Sequence, residues 1–341
     1  MWKLGNIRID GTVALGPMSG FTSSGYRDFM KPFGVALCYT VMTSDLGIIH
    51  NNRRTQEYTA FSDNHPTGLQ IYGSVPENLA TAAETALKVN PDIDFIDVNM
   101  GCPVPKITRS GSGSTLMKDP VLCGEIIRAI KSKVDVPVTA KIRLGWSDST
   151  INFREIVDRL TDADVDAVCI HARTKTQGYS GQPRYDLLEG YQDEMSVPLI
   201  VSGNIYLLED AINAMRKTCA RSVMVARGGV GNPFLVTQID RYFRDGTVLP
   251  NPTVSQQVDW CLELADYLIK ERGYEDAMKD FRLYAPKFIS GCHRCRGYRY
   301  DLAMASKDLD DLKELLFRIR DEMGHLRINN NGRCDQDSHS E

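Results

Sequence analysis

Phe95-Ile96-Asp97-Val98-Asn99-Met100-Gly101-Cys102-Pro103 joins an apolar run to a long segment, rich in Gly, Ser and basic residues, that reaches Leu116. A short apolar run ending in polar residues reads as a parallel strand, and the Gly that follows releases the chain into a loop of the kind that carries function. Cys102 stands apart for this reason. Cys38, Cys123, Cys169, Cys219 and Cys261 sit in apolar or helical runs, where a free thiol behaves as a small buried hydrophobe. Gly101 before Cys102 and Pro103 after it exclude a helix or sheet interior. Local context leaves chemistry and packing both open for this thiol, and the rest of the chain decides.

Working outward, strand-like runs recur at Val13 to Pro17, Ala36 to Val41, Gly68 to Tyr72, Phe95 to Asn99, Val138 to Ile142, Ala167 to His171, Leu199 to Ser202 and Ser222 to Ala226. Helical patterns lie between them, at Pro76 to Val89, Pro120 to Ser132, Phe153 to Leu160, Leu207 to Met215 and Pro233 to Phe243, several opened by Pro at a first-turn position. Eight strands alternating with helices match an α/β fold of the (β/α)8 TIM-barrel type over residues 1–250. A doubly wound open sheet is disfavoured, because no Gly-x-Gly-x-x-Gly follows the first strand. Ahead of the barrel, Ile7 to Val13 alternates around Asp10-Gly11 and reads as a hairpin.

Composition changes after Leu249-Pro250-Asn251-Pro252. Amphipathic runs at Ser255 to Arg272, Ala277 to Ile289 and Asp308 to Met323 form a small C-terminal helical domain, residues 251–325. The polar stretch 326–341 has little to bury and reads as a disordered tail.

A hydrophobic content of 42% and a charged content of 25% in 341 residues are those of a soluble globular protein with a real core. No signal-peptide pattern or membrane-length apolar run is present, so a cytoplasmic protein is expected. Nine irregularly spaced cysteines then read as reduced thiols. A net charge of -4 gives no global attraction to nucleic acid.

In a barrel the catalytic groups gather at the carboxyl ends of the strands. Strand one ends Gly16-Pro17-Met18-Ser19-Gly20, strand three carries Gln70, strand four Asn99 and Cys102, strand five Lys141 and Arg143, and strand six His171 and Arg173. Strand seven ends Ser202-Gly203-Asn204 and strand eight Ala226-Arg227-Gly228-Gly229. Backbone N–H groups at Gly203, Gly228 and Gly229, ahead of a helix start near Pro233, make an anion cradle where barrels hold phosphate. With Lys141 and His171 opposite, a phosphorylated planar cofactor such as FMN is the economical reading. Lys141 then holds the electron-rich N1/C2 edge of the flavin and Gln70 bonds its pyrimidine edge.

Taken together these motifs resemble the tRNA-dihydrouridine synthases, most closely their B-type bacterial subgroup. The carriers include Gly16-Pro17-Met18-Ser19-Gly20, Gly68-Leu69-Gln70-Ile71-Tyr72-Gly73, Asp97-Val98-Asn99-Met100-Gly101-Cys102-Pro103 and Gly111-Ser112-Gly113-Ser114. They continue with Ala140-Lys141-Ile142-Arg143-Leu144-Gly145-Trp146, Ile170-His171-Ala172-Arg173-Thr174, Gly178-Tyr179-Ser180-Gly181, Ser202-Gly203-Asn204-Ile205 and Val225-Ala226-Arg227-Gly228. The resemblance implies an FMN enzyme that reduces the C5=C6 bond of a uridine in tRNA, with NADPH recharging the flavin. It casts Cys102 as the general acid that protonates C5 while hydride passes from flavin N5 to C6. An ordinary thiol, with a pKa of about 8.5, carries the proton this needs at neutral pH.

By the same resemblance Asn99 bonds the uracil edge, Arg173 and Tyr179 touch substrate, and Pro17, Met18, Gln70, Lys141, His171, Gly203, Asn204, Arg227 and Gly228 surround FMN. A stacked base cannot reach a barrel mouth, so the uridine must be flipped out. The segment from Pro103 to Gly113, with Lys106 and Arg109, reads as a mobile loop that closes over it and touches phosphates. No membrane and no obligate protein partner is implied.

The window 279–299 sets Lys279, Arg282, Lys287, Arg294, Arg296 and Arg299 against Asp280 alone, a net +5. With Tyr284, Tyr298 and Tyr300 interleaved, it reads as a phosphate and stacking surface in which Arg282 and Lys287 contact tRNA. Members of the family usually carry a basic, His-containing stretch leading to a Trp-Tyr pair here, whereas this chain reads Leu283-Tyr284-Ala285-Pro286-Lys287-Phe288. Cys292-His293-Arg294-Cys295 supplies two of the four ligands a structural zinc prefers, and no metal is expected. Ribosomal RNA as the substrate, a flavin reductase of a free pyrimidine and a non-catalytic RNA-binding barrel are the alternatives. The last predicts loss of Cys102 or Lys141, and both are present.

Overall fold

The computed structural model describes residues 1–52, 64–292, 295–305 and 308–329. Eight parallel strands form a closed ring: β3 (Val13–Leu15), β4 (Val35–Tyr39), β6 (Thr67–Tyr72), β7 (Phe95–Asn99), β8 (Val138–Arg143), β9 (Ala167–His171), β10 (Leu199–Ser202) and β11 (Ser222–Val225). β3 pairs with β11 on one side and β4 on the other, and β4 pairs with β6, which closes the barrel. A two-residue strand, β5 (Thr43–Ser44), adds to β6 at the mouth.

The barrel strands are buried on both faces, so they read as near-continuous apolar runs. Ala14, Leu37, Tyr39, Phe95, Ala167, Cys169, Ile200 and Met224 form one cluster with Leu4 and Ile9. The last two come from a hairpin, β1 (Trp2–Leu4) and β2 (Ile7–Ile9), whose apolar residues join that cluster. This corrects the hairpin expected around Asp10-Gly11: the turn is at Gly5-Asn6, with Gly5 at φ +56°, and Val13 already belongs to the barrel.

The outer helices include α1 (Ser24–Met30), α2 (Asp45–Ile49), α3 (Pro76–Val89), α4 (Pro105–Thr108), α5 (Pro120–Lys131), α6 (Phe153–Thr161), α7 (Tyr191–Glu194), α8 (Leu208–Thr218) and α9 (Phe234–Asp245). Pro76 and Pro120 stand in first turns, where the missing N–H costs nothing, and the Asp119 side chain caps α5 by accepting from Leu122 N–H at 3.0 Å. Cys219, expected to pack as a small hydrophobe, is instead exposed at the left-handed end of α8.

The C-terminal helices are α10 (Val254–Arg272), α11 (Tyr274–Phe288), α12 (Arg296–Tyr300) and α13 (Leu309–Met323). Their apolar faces pack against one another and against α1. The Glu271 carboxylate, at the end of α10, accepts from Ser23 Oγ at 2.6 Å, Ser24 N–H at 3.1 Å, Ser24 Oγ at 2.8 Å and Gly25 N–H at 3.0 Å. Tyr284 stacks on Tyr26 with ring centroids 5.3 Å apart and donates its hydroxyl hydrogen to the Phe21 carbonyl. Gln257 donates to the carbonyls of Gly231 and Phe288, each at 2.8 Å. The domain therefore sits on the loops that follow β3 and β11.

Residues 326–329, assigned from sequence to the tail, are packed: Ile328 is buried, its N–H bonds Pro252 O at 2.9 Å, and Arg327 bridges to Thr253. The remainder of that tail lies outside the described residues. Among the described residues no helix is long and apolar enough to cross a membrane.

Candidate active site

Parallel register assembles the site. It sets Gln70 beside Asp97, Asp97 beside Thr139, Asn99 beside Lys141, Arg143 beside His171, and His171 beside Ser202. Asp97 is fully buried, and its two oxygens accept from Thr139 Oγ1 at 2.6 Å and Gln70 Nε2 at 2.7 Å. Gln70 Oε1 accepts from Asn99 Nδ2 at 2.8 Å, and Asn99 Oδ1 accepts from the N–H groups of Cys102 at 2.9 Å and Gly101 at 3.2 Å. One line of hydrogen bonds thus runs from a buried carboxylate to the backbone of the thiol. Burial pushes the Asp97 carboxyl up to about 6, against the pull of Thr139, Gln70 and Lys141.

Cys102 is half-buried on the wall of the cleft. Desolvation raises its thiol above the ordinary range, outweighing the Val104 N–H, Arg143 and Lys141, which favour thiolate. The group therefore keeps its proton at neutral pH. Its carbonyl is held by Ser114, whose N–H and hydroxyl donate to it at 3.0 and 2.9 Å. The following segment, expected as a mobile loop, forms α4, tied by Ser74 Oγ to Ser110 O at 3.1 Å and by Thr115 Oγ1 to Thr108 O at 2.9 Å.

Arg143, placed from sequence at the tip of strand five without a role, has one in the structure. Buried and aligned with Lys141 two positions earlier on β8, it donates to Gly101 O at 2.8 Å, Thr174 O at 3.0 Å and Gly178 O at 2.8 Å. It ties the thiol's loop to the loop that carries Tyr179. Asp97 was passed over, although a carboxylate inside an apolar strand was itself the signal, because a buried charge must be hydrogen-bonded.

Two adjoining cavities open at the mouth. The larger, about 620 Å³, is lined by Met18, Gln70, Asn99, Cys102, Lys141 and Arg143, among others. The smaller, about 110 Å³, is lined by Gly203, Asn204, Ala226, Arg227 and Gly228. Pro17, Met18, Lys141, His171, Tyr179 and Arg227 line both. Among the described residues no carboxylate lines either cavity, whereas Lys141, Arg143, Arg227 and Lys287 do. A Cβ at Gly228 would stand 1.9 Å from Ile205 O, so the two final turns meet backbone to backbone. The volume of the larger cavity suits a small molecule and the donor set suits an anion.

His171 is buried, and desolvation reinforced by Arg143, Lys141, Arg173 and Arg227 holds it well below its usual value, so it is neutral. Arg173 stands 3.3 Å from its Nε2, and as an obligate donor it makes that nitrogen the acceptor. Arg173 itself is fully buried and bonded to the carbonyls of Ser180 and Gly181. It lies behind His171 and lines neither cavity. Tyr179 is half exposed over the mouth, its ring 4.5 Å from the Arg227 guanidinium.

Lys106 and Arg109 are exposed on and just after α4 and do not line the cleft. Lys287 reaches the cleft rim, 6.0 Å from the Phe21 ring centre, and Arg282 is half-buried on α11 away from it. Tyr284, read as a stacking platform, is buried against Tyr26 and Phe21 and unavailable to a base; Tyr300 remains exposed. Arg294 of the basic window and His293 lie outside the described residues.

Comparison with known proteins agrees with this architecture. A solved histamine dehydrogenase from Rhizobium sp. 4-9 superposes with a TM-score of 0.51 at 13% identity, covering 70% of this chain and 47% of that one, a likeness of fold alone. A probable tRNA-dihydrouridine synthase 1 from Synechocystis sp. is 34% identical over 290 residues, 84% of this chain and 81% of the relative. A tRNA-dihydrouridine synthase B from Pasteurella multocida is 27% identical over 85% of this chain and 87% of its own. The family model described as dihydrouridine synthase (Dus) matches residues 12–322, barrel and helical domain together. The chain belongs to the dihydrouridine synthase family, with B-type members among its relatives.

Proposed function

We propose that this protein reduces the C5=C6 bond of a uridine in tRNA to 5,6-dihydrouridine, with FMN as cofactor and NADPH as reductant. The observation that carries the reading is a half-buried free thiol, Cys102, on the wall of a cationic cleft that continues into a glycine-lined anion cradle. Family membership supplies the reaction class and the RNA substrate.

The residues present fit FMN. Gly203, Asn204, Arg227 and Gly228 offer backbone N–H groups and a cation to its phosphate, and Gly228 lets the two turns that form the cradle meet backbone to backbone. Lys141, without an ion-pair partner among the described residues, serves the electron-rich edge of the ring. Gln70 turns a fixed amide toward the cleft, and neutral His171 serves as a donor through Nδ1. FMN, when bound, supplies the hydride for C6.

Cys102 supplies the proton for C5, and a placed acid is worth on the order of 100- to 10,000-fold in rate. Asn99, whose Oδ1 is engaged by the Cys102 and Gly101 N–H groups, holds the thiol's loop, and its second N–H, which rests 3.6 Å from Met42 Sδ, exchanges that weak acceptor for the uracil edge. Tyr179 and Arg227 flank the entering base. Arg143 and Arg173 hold the loops around it.

The test is nucleoside analysis by mass spectrometry of separately purified tRNA and ribosomal RNA from cells with and without the protein. Dihydrouridine should fall in tRNA. A fall confined to ribosomal RNA replaces the substrate, and no change in either, from a yellow protein that oxidises NADPH, points to a free pyrimidine.

A further inference from the structure

The helical domain rests on the loops after β3 and β11, which are neighbours in the barrel. β8 lies four strands from β3 in both directions, so the loops after β7, β8 and β9 form the opposite rim of the mouth. That rim carries an arrangement the cleft does not use. Lys118 Nζ stands 3.6 Å from the ring centre of Trp146, and Lys175 Nζ stands 4.4 Å from the same centre. The three come from three different loops, and backbone bonds from Lys175 N–H to Gly145 O and from Thr176 N–H to Trp146 O, each 2.9 Å, lock two of them together.

We propose that this rim is a second RNA-binding surface, which grips the phosphate backbone across the mouth from the helical domain. The inference rests on the RNA substrate proposed above. Holding two lysines on one indole orders both side chains without a carboxylate, so their N–H donors stay available for an outside anion. The nearby acids are engaged elsewhere: Asp119 caps α5, and Asp148 faces Arg184 at 3.9 Å and Thr174 at 3.4 Å. Neither lysine has an ion-pair partner among the described residues, and the same holds for Lys106 and Arg109 on the loop that leads to Lys118. Four unneutralised cations on one side of the mouth match a polyanion that must straddle the cleft to lower one flipped base into it. An RNA held by the helical domain alone would pivot about that edge; contact on the far rim fixes the flipped base over Cys102.

The experiment compares tRNA binding by the full-length, FMN-loaded protein and its K118Q/K175Q variant over a range of salt concentrations. The variant should bind roughly tenfold more weakly for the loss of two charge-assisted contacts. The slope of log affinity against log salt should shrink by about 1.4 to 1.8. Flavin content and thermal midpoint serve as folding controls, and a K118R/K175R variant should restore the slope. Equal affinity and slope in K118Q/K175Q overturn the inference and leave the proposed function standing. Failure of the unsubstituted protein to bind tRNA at all overturns both.

Discussion

Asn99 holds the backbone of Cys102: its Oδ1 accepts the Cys102 N–H at 2.9 Å while its Nδ2 donates to Gln70 at 2.8 Å. An amide so placed has only one orientation, since reversing it would set donor against donor at Cys102. The orientation of Gln70 is determined in turn by Asp97, an acceptor when ionised. The position of the proposed acid is therefore settled three side chains away, inside the barrel.

Asp97→Asn tests this chain of dependence. An Asn at 97 brings an NH2 group to a place where Gln70 and Thr139 both donate, so the amides lose their single orientation. Turnover should fall roughly 100-fold, the order lost to a misplacement of about 1 Å, and flavin should be held more weakly because Gln70 loses its fixed orientation. The wild-type rate should also fall below about pH 6 as Asp97 takes up a proton, and that limb should be absent from Asp97→Asn. The stability sign is the reverse. A carboxyl raised from 3.8 to about 6 binds more protons folded than unfolded in that window, so unfolding free energy falls as pH rises through it. A pH–rate profile and urea titrations across pH 4 to 7 check both.

Cys102→Ala should keep the yellow flavin spectrum and lose turnover by on the order of 100- to 10,000-fold. Single-turnover dihydrouridine formation is the measurement, and an unchanged rate would remove the thiol from the acid role. Because burial raises this thiol, loss of its proton should leave the wild-type rate untouched at neutral pH and set only the alkaline limb of the profile.

Gly228→Ala should abolish flavin binding. The added Cβ would lie 1.9 Å from Ile205 O and 2.8 Å from the same carbonyl carbon, so the two turns that form the cradle must separate. The ratio of flavin to protein absorbance after purification reads this directly.

Glu271→Ala removes the acceptor of four donors from the loop before α1 and from its first turn. A hydrogen bond to a charged group contributes about 1.5–3 kcal/mol, and solvent replaces part of the set, so a loss of about 2–4 kcal/mol is expected. A urea melt measures it, and protease susceptibility at the junction near Pro250 should rise with it.

The barrel was legible because each strand is buried on both faces and each is punctuated by Gly, Pro or polar residues at its tip. All eight strands and the three long C-terminal helices stand within a few residues of their expected places. The short helices α1, α2, α4 and α12 were not, since four to seven residues carry too little periodicity to read. Tyr284 was misjudged for a related reason. Charge and aromatic content describe a window of sequence, but only packing against α1 shows that this ring faces inward.

What the sequence determined by itself is the order of chemistry-bearing residues along the chain, and with it the alternation of strand and helix and the place of Cys102 at a strand end. What only the tertiary structure decided is which of those residues meet. Parallel register brings Asp97, Gln70 and Asn99 together from two strands, and Arg143 joins two loops through Gly101, Thr174 and Gly178. Barrel closure likewise puts the helical domain and the Trp146 rim on opposite sides of one mouth. Such pairings depend on strand register and on which face each side chain takes, and those follow from burial of the whole core rather than from any local run of residues.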